Sequence, residues 1–288
     1  MDTTSRTPVQ EPLARTLWTL FEPLHAVTYF APECAAAFEE AGLRGFWRGY
    51  FAGRAAPFGA TGPAPVTSAF FNFAPSMAAR ALPAVWEKVP PAEALRLRAA
   101  GARAALRRLL AGLEKETERA AELLAARLDG LDCAGRPLAA LNAALPRPED
   151  AAGLLWHAAT VLREHRGDGH VAALVAAGLD GCEILVLRAG HDTTRTELQP
   201  YRGWTDDQWE AAMTRLVRRG LLTPDGRATA EADRLLATIE AATDTAAARP
   251  WADPEDADGL AARLRPLAVA AGNALRWPNP IGVRRTTD

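Results

Sequence analysis

From Ala92 to Leu128 the chain repeats Ala, Leu, Arg and Glu with its apolar residues three and four positions apart. That period belongs to a helix with one buried stripe; a strand would need strict alternation. The residue types are strong helix formers as well, so propensity and pattern agree. Gly112 interrupts the run and predicts two helices, and Arg103, Arg107, Arg108, Glu114, Glu116 and Glu118 read as their solvated face. The same spacing appears at Leu13, Leu17, Leu20, Leu24 and Val27, after Pro12 at a first-turn position. It restarts at Pro32 and stops at Gly42, and returns over Val66 to Ala81 with a break near Pro75. The body of the protein is therefore expected to be mainly α.

Composition narrows the classes of function. With 33 basic and 35 acidic residues, net charge is −2, so no global positive field draws the chain to nucleic acid or an anionic membrane. Cys34, Cys133 and Cys182 lie far apart and are odd in number, which argues against a disulfide framework or a zinc knuckle. No apolar run reaches the roughly 18 to 20 residues of a membrane span, and the N-terminus shows no apolar signal region. The expectation is a cytoplasmic protein without membrane contact. No residue pattern calls for a cofactor, and no two histidines stand at the i, i+4 spacing of a metal-binding helix, so no metal is expected.

Chemistry-bearing residues concentrate in Leu162 to Leu174, where Arg163, Glu164, His165, Arg166, Asp168 and His170 fall close together between apolar helical runs. Gly167-Asp168-Gly169 reads as an elbow, with Asp168 capping a new helix from His170. His170 in a first helical turn would be kept neutral by the dipole, which makes it a general-base candidate with Glu164 or Asp168 orienting it. The competing reading is an ion-pair network that braces the elbow. His157 and Glu164 share a helix face about 10 Å apart along the axis and suit one ligand. His25 and Tyr29 lie four apart on a helix that Pro23 should kink. Phe46, Trp47, Tyr50, Phe51 and Phe58 surround Arg44, Arg48 and Arg54, an arrangement that suits either a core or a pocket receiving an anion at Arg54. Asn72 among Phe70, Phe71 and Phe73 needs a hydrogen-bond partner. The candidate ligand contacts are thus His25, Tyr29, Arg54, Asn72, His157, Arg163 and His165.

The C-terminal part has the clearest local grammar. Thr205-Asp206-Asp207-Gln208 is a capping box opening a helix from Trp209 to Arg219, which Gly220 stops. Leu221 to Thr223 and Arg227 to Thr229, joined by Pro224-Asp225-Gly226, read as a short β-hairpin, and Thr229 caps a long helix to about Ala247. This order resembles a MarR-like winged helix-turn-helix. From Trp204 to Ala248, however, five Arg face eight acidic residues, a net charge of −3, so a DNA partner is open but not favoured. Three regions follow: an N-terminal helical domain at 1–150, a helical elbow and linker at 151–200, and a winged-helix unit with a packed tail at 201–288.

Seven phrases span nearly the whole chain: Glu22-Pro23-Leu24-His25-Ala26 with Tyr29-Phe30-Ala31-Pro32-Glu33, Phe46 to Pro57, Phe71-Asn72-Phe73-Ala74-Pro75, Gly135-Arg136-Pro137-Leu138, Leu155-Trp156-His157-Ala158-Ala159, Arg163 to His170, and Pro278-Asn279-Pro280-Ile281-Gly282. Together they resemble an actinobacterial SalK-like family of helix-turn-helix proteins found near natural-product pathways. The resemblance implies an all-helical body with a winged-helix unit and no settled reaction. Three readings of function follow: a small-molecule binding protein with its pocket between the body and the 163–170 elbow, an enzyme using His170 in that pocket, and a ligand-controlled DNA-binding regulator. A homodimer stays open.

Overall fold

The computed structural model describes residues 10–251 and 257–275, with side chains described from residue 13 and, after the gap, from residue 259. The Pro278 to Gly282 end, expected to pack back on the body, lies outside the described residues. Fourteen α-helices follow in order: α1 (Gln10–Phe30), α2 (Pro32–Glu40), α3 (Phe46–Ala55), α4 (Pro63–Phe70), α5 (Pro75–Ala79), α6 (Pro91–Leu109), α7 (Glu114–Ala126), α8 (Pro137–Ala143), α9 (Ala151–Ala176), α10 (Gly181–His191), α11 (Arg195–Leu198), α12 (Asp206–Arg218), α13 (Ala230–Ala247) and α14 (Ala257–Gly272). Prolines open α2, α4, α5, α6 and α8, where a missing N–H costs nothing. Gly112, at φ +89°, makes the turn that divides α6 from α7, as its place in the sequence predicts.

The architecture is built around α9, which packs against α1, α6, α7, α8 and α13. Leu155, Val161 and Leu162 of α9 share a core with Leu17, Leu24 and Val27 of α1, Leu124 of α7 and Leu264 of α14. Each such side chain contributes about 1.5 to 3 kcal/mol by leaving water. A second core is aromatic: Tyr50, Phe51, Phe70, Phe73 and Trp86 fill the space between α3, α4 and the segment before α6. A third joins Leu185 and Leu187 of α10, Trp209 and Leu216 of α12, and Ile239 of α13. Close crossings depend on glycine. A Cβ on Gly101 would stand 2.8 Å from Cys34 Cα where α6 meets α2, and one on Gly181 only 2.0 Å from the Phe71 carbonyl oxygen.

Two sequence expectations are overturned. No elbow divides residues 167–169, because α9 continues without a break from Ala151 to Ala176, capped by Asp150 accepting from Gly153 N–H at 3.1 Å. The glycines serve packing instead. A Cβ on Gly169 would meet Arg136 Nη1 at 2.6 Å, and that guanidinium lies across α9, donating to the His165 and Ala246 carbonyls. The real break comes later, at Asp180, whose capping box with Glu183 starts α10 after a 92° bend.

The β-hairpin wing is also absent: the described residues hold no β-strand, and Leu222 and Ala228 form a single isolated bridge. The turn itself forms, with Gly226 N–H donating to the Thr223 carbonyl at 2.8 Å and Thr223 N–H to Arg227 at 2.9 Å. Beyond it only Thr229 N–H crosses, to the Leu221 carbonyl at 3.1 Å, because Leu221 N–H is turned back to the Leu216 carbonyl at 3.0 Å and Arg227 N–H to Thr223 Oγ1 at 3.0 Å; Ala228 N–H, on the outer side, donates to the Gly190 carbonyl of α10 at 2.9 Å. The segment is laid against α10 and does not project as a wing. The capping box at Thr205 and the side-chain cap at Thr229 match the sequence reading, and α12 begins at Asp206, three residues before the expected Trp209.

Candidate functional site

A cleft opens between α1, α2 and α3, with Arg98 of α6 and Glu164 of α9 among its lining. Its cavity is small, about 50 Å³, and opens to solvent. Such a space suits a slim, compact group. Tyr29, Phe38, Phe46 and Tyr50 supply its apolar walls, and the Tyr29 and Tyr50 rings lie 5.0 Å apart. Gly49 and Gly53 turn the bare side of α3 toward the Phe38 ring, which lets α2 approach closely.

A buried polar network lies beside these walls. Arg54 grips Glu164 through two bonds of 3.0 Å, from Nε and Nη2, while its Nη1 donates to the Tyr50 hydroxyl at 3.1 Å. Its guanidinium stacks over Phe70 at 4.1 Å. Arg163 donates to Glu164 at 2.8 Å and to Glu22 at 3.3 Å, and Glu22 also accepts from Trp18 Nε1 at 2.7 Å. Glu164 is 1% exposed, yet it ionises well below the usual range because Arg54 and Arg163 outweigh its burial.

Arg98 differs from these two arginines. It is 6% exposed and forms no ion pair among the described residues: Nη1 donates to the Gly53 carbonyl and Nη2 to Asn142 Oδ1, each at 3.0 Å, while the Glu164 charge acts on it from across the cleft. Its Nε is buried with no partner among the described residues. Burial brings its pKa down to about 10, and it remains charged at neutral pH. The buried Arg98 and the half-buried Arg54 and Arg163 thus lie near two buried carboxylates, Glu22 and Glu164, and only Arg54 and Arg163 form ion pairs with them. Glu39 stands exposed at the rim, where water screens it.

His25 is buried between Thr160, 3.0 Å from its Nδ1, and the Tyr29 hydroxyl, 3.1 Å from its Nε2. Burial, and then the nearby Arg163, hold it neutral, well below the ordinary imidazole range. Burial likewise pushes the Tyr29 phenol up and the Cys34 thiol to about 12, so neither is a ready anion.

The cleft thus gathers His25, Tyr29, Arg54 and Glu164 from the sequence candidates, with Arg163 one bond behind. The others lie elsewhere. His157 is buried with Nε2 unpartnered and a pKa lowered to about 4 by burial and by Arg98. His165 meets the Asp132 backbone and the Arg136 charge, and burial first lowers it to about 4. Asn72 sits at the seam with α10, its carbonyl accepting from Trp204 Nε1 at 2.9 Å and its side-chain oxygen unpartnered. Asp168 does not cap a helix at His170. It caps α8, accepting from Ala139 N–H at 2.9 Å, and burial raises its pKa to about 6. His170 lies mid-helix, so no dipole acts on it as a first-turn residue; it bonds Thr243 Oγ1 at 2.9 Å, 4.0 Å from Glu240. Arg98 is the contributor that sequence reasoning did not single out, and Tyr50 was read only as part of the aromatic cluster around Arg54. For Arg98 a signal existed, since it falls on the same helical stripe as Ala94, Gly101 and Ala105. Among the described residues no group of three His, Cys, Asp or Glu side chains is placed to hold a metal ion.

The C-terminal unit read from the sequence as a helix-turn-helix centres on α12, which packs against α10. Arg195 is held by Asp206 at 2.7 Å and Glu210 at 2.5 Å; Arg215 by Asp180 at 2.6 Å and Glu183 at 2.7 Å. Arg219 donates to the carbonyls of Gly178 and Ala177, and Arg227 pairs with Asp225 at 2.8 Å. Asp206, Asp207 and Glu210 stand exposed around the N-terminus of α12.

Fold and site define a class: an all-helical protein that couples a helix-turn-helix unit, a DNA-binding type of fold, to a body with a charged aromatic cleft. The model of a helix-turn-helix family matches residues 14–278, and the chain belongs to that family. No curated protein and no solved structure matches it. No single described helix is long and apolar enough to cross a membrane; α9 and α10 reach that length only together, across their 92° bend.

Proposed function

We propose that this protein binds a small organic acid in the cleft between α1, α2 and α3, on a helix-turn-helix scaffold of the SalK-like type. The observation that carries the reading is Arg98: a buried guanidinium lining an aromatic cleft, with no carboxylate of its own. A buried cation without a counter-charge is costly, and an incoming anion removes that cost where a neutral molecule does not. Aromatic walls add apolar contact for a flat or slim body. A reading as a DNA-binding regulator draws support from the family, but the arginines around α12 are held by partners within the unit, leaving Arg218 alone of Arg215, Arg218, Arg219 and Arg227 without one among the described residues. His170 faces Thr243 rather than the cleft, so the acid–base role read from its position has no geometric support.

Benzoate serves as the probe. Calorimetric titration at low salt should give saturable one-to-one binding, weakened tenfold or more in Arg98→Met and partly restored in Arg98→Lys, with thermal melts showing that each variant folds. Wild-type protein without saturable benzoate binding, or Arg98→Met folded and binding as wild type does, overturns the reading.

A further inference from the structure

The hydrogen-bond chain behind Tyr29 fixes where its proton lies, and from that the polarity it shows to the cleft. Thr160 has one hydroxyl proton, and it goes to the Trp156 carbonyl one turn earlier at 2.8 Å. Thr160 Oγ1 can then only accept from His25, so Nδ1 carries the imidazole proton. A neutral ring has one N–H, which leaves Nε2 as a bare acceptor. The Tyr29 hydroxyl must donate to it across 3.1 Å, and what Tyr29 offers beyond that bond is oxygen lone pairs. Tyr50 has the opposite polarity. Its oxygen accepts from Arg54 Nη1 at 3.1 Å, and no acceptor among the described residues takes its proton, so it can donate.

We infer that the cleft is built for a hydroxy acid: a compact organic acid whose anionic group meets Arg98 and the Tyr50 hydroxyl, and whose own O–H donates to Tyr29. This rests on the organic-acid reading above and adds the ligand's donor. An acid without that hydroxyl leaves the Tyr29 oxygen unanswered in a site closed to most water, and a methoxy group in its place sets two acceptors against each other.

The test compares benzoate with the three monohydroxybenzoates and their methoxy counterparts by calorimetry on the full chain. At least one hydroxybenzoate should bind tenfold or more tightly than benzoate, and its methoxy counterpart no more tightly than benzoate. In Tyr29→Phe, checked for folding by thermal melt, that ratio should fall to near one. The imidazole tautomer is read independently by long-range proton–nitrogen correlation on histidine-labelled protein, which should show a Nδ1–H form for His25. Equal binding of benzoate and all three hydroxy acids, or a Nε2–H tautomer, overturns the hydroxy-acid inference while leaving the organic-acid reading standing. Absence of binding by every acid in the set removes both.

Discussion

The cleft and the α12 face are both rich in arginine, and they differ in what those arginines face. At α12 the guanidiniums of Arg195, Arg215, Arg219 and Arg227 are matched by carboxylates or carbonyls of the same unit, mostly at the surface. In the body, the half-buried Arg54 and Arg163 are paired with the buried Glu22 and Glu164, whereas the buried Arg98 is hydrogen-bonded only to neutral oxygens. An arginine whose partners are built in holds structure together, whereas one buried without a counter-charge is prepared to receive an anion. The local charge count, which decides between these roles, comes from tertiary contacts and not from sequence composition.

The largest effect on this contrast should come from Glu164→Ala. It leaves Arg54 without its paired carboxylate and Arg163 with Glu22 alone, and the expected loss is about 3 to 5 kcal/mol in urea unfolding. A loss below about 1 kcal/mol would mean that water reaches the network and that the cleft resembles the surface after all.

Next in size is the response to acid. His157 and His165 titrate at about 4 in the folded chain against 6.5 when unfolded, so the unfolded chain binds more protons in between. Their contribution is complete above about pH 6.5 and is lost as pH falls toward 4, on the order of 3 kcal/mol for each. Asp168, raised from 3.8 to about 6, works the other way, since its folded form binds the proton more readily and gains stability as pH falls through that range. Two histidines outweigh one aspartate, so stability should decline on acidification from pH 6.5 to 4, and His157→Leu should make the decline shallower. An unchanged slope in that variant would contradict the burial assigned to His157. The smallest effect belongs to the surface side: Arg227→Ala breaks a pair whose side chains are 79% and 58% exposed and should cost under about 1 kcal/mol in the same assay.

Much of the fold was legible because helices announce themselves locally. The spacing in Ala92 to Leu128, Gly112 between α6 and α7, and the Thr205 and Thr229 caps all act within a few residues. The Gly-Asp-Gly reading failed because glycine signals two things, freedom of the backbone and absence of a side chain. In α9 the second applies, and the guanidinium that needs the room, Arg136, is distant in sequence. The hairpin failed for a different reason: its turn residues are right, but Leu221 N–H closes the end of α12 on the Leu216 carbonyl and Arg227 N–H goes to the Thr223 hydroxyl, so the two segments share a single bridge. Of the site, His25 with Tyr29 could be paired from their i, i+4 spacing. The bond from Arg54 to Glu164 joins residues 110 apart, and no local pattern encodes it. Arg98 could be noticed on a buried stripe, but its lack of a carboxylate is visible only once α3, α6 and α8 are assembled.

The most direct test of the contrast is an amide proton–nitrogen NMR spectrum of the labelled chain during titration with benzoate. Saturable shifts should gather at Gly49, Tyr50, Gly53 and their neighbours around the cleft, while residues 206–219 stay in place. Shifts centred on α12, or none that saturate around α3, would contradict the claim that the body, and not the helix-turn-helix surface, is where this protein receives negative charge.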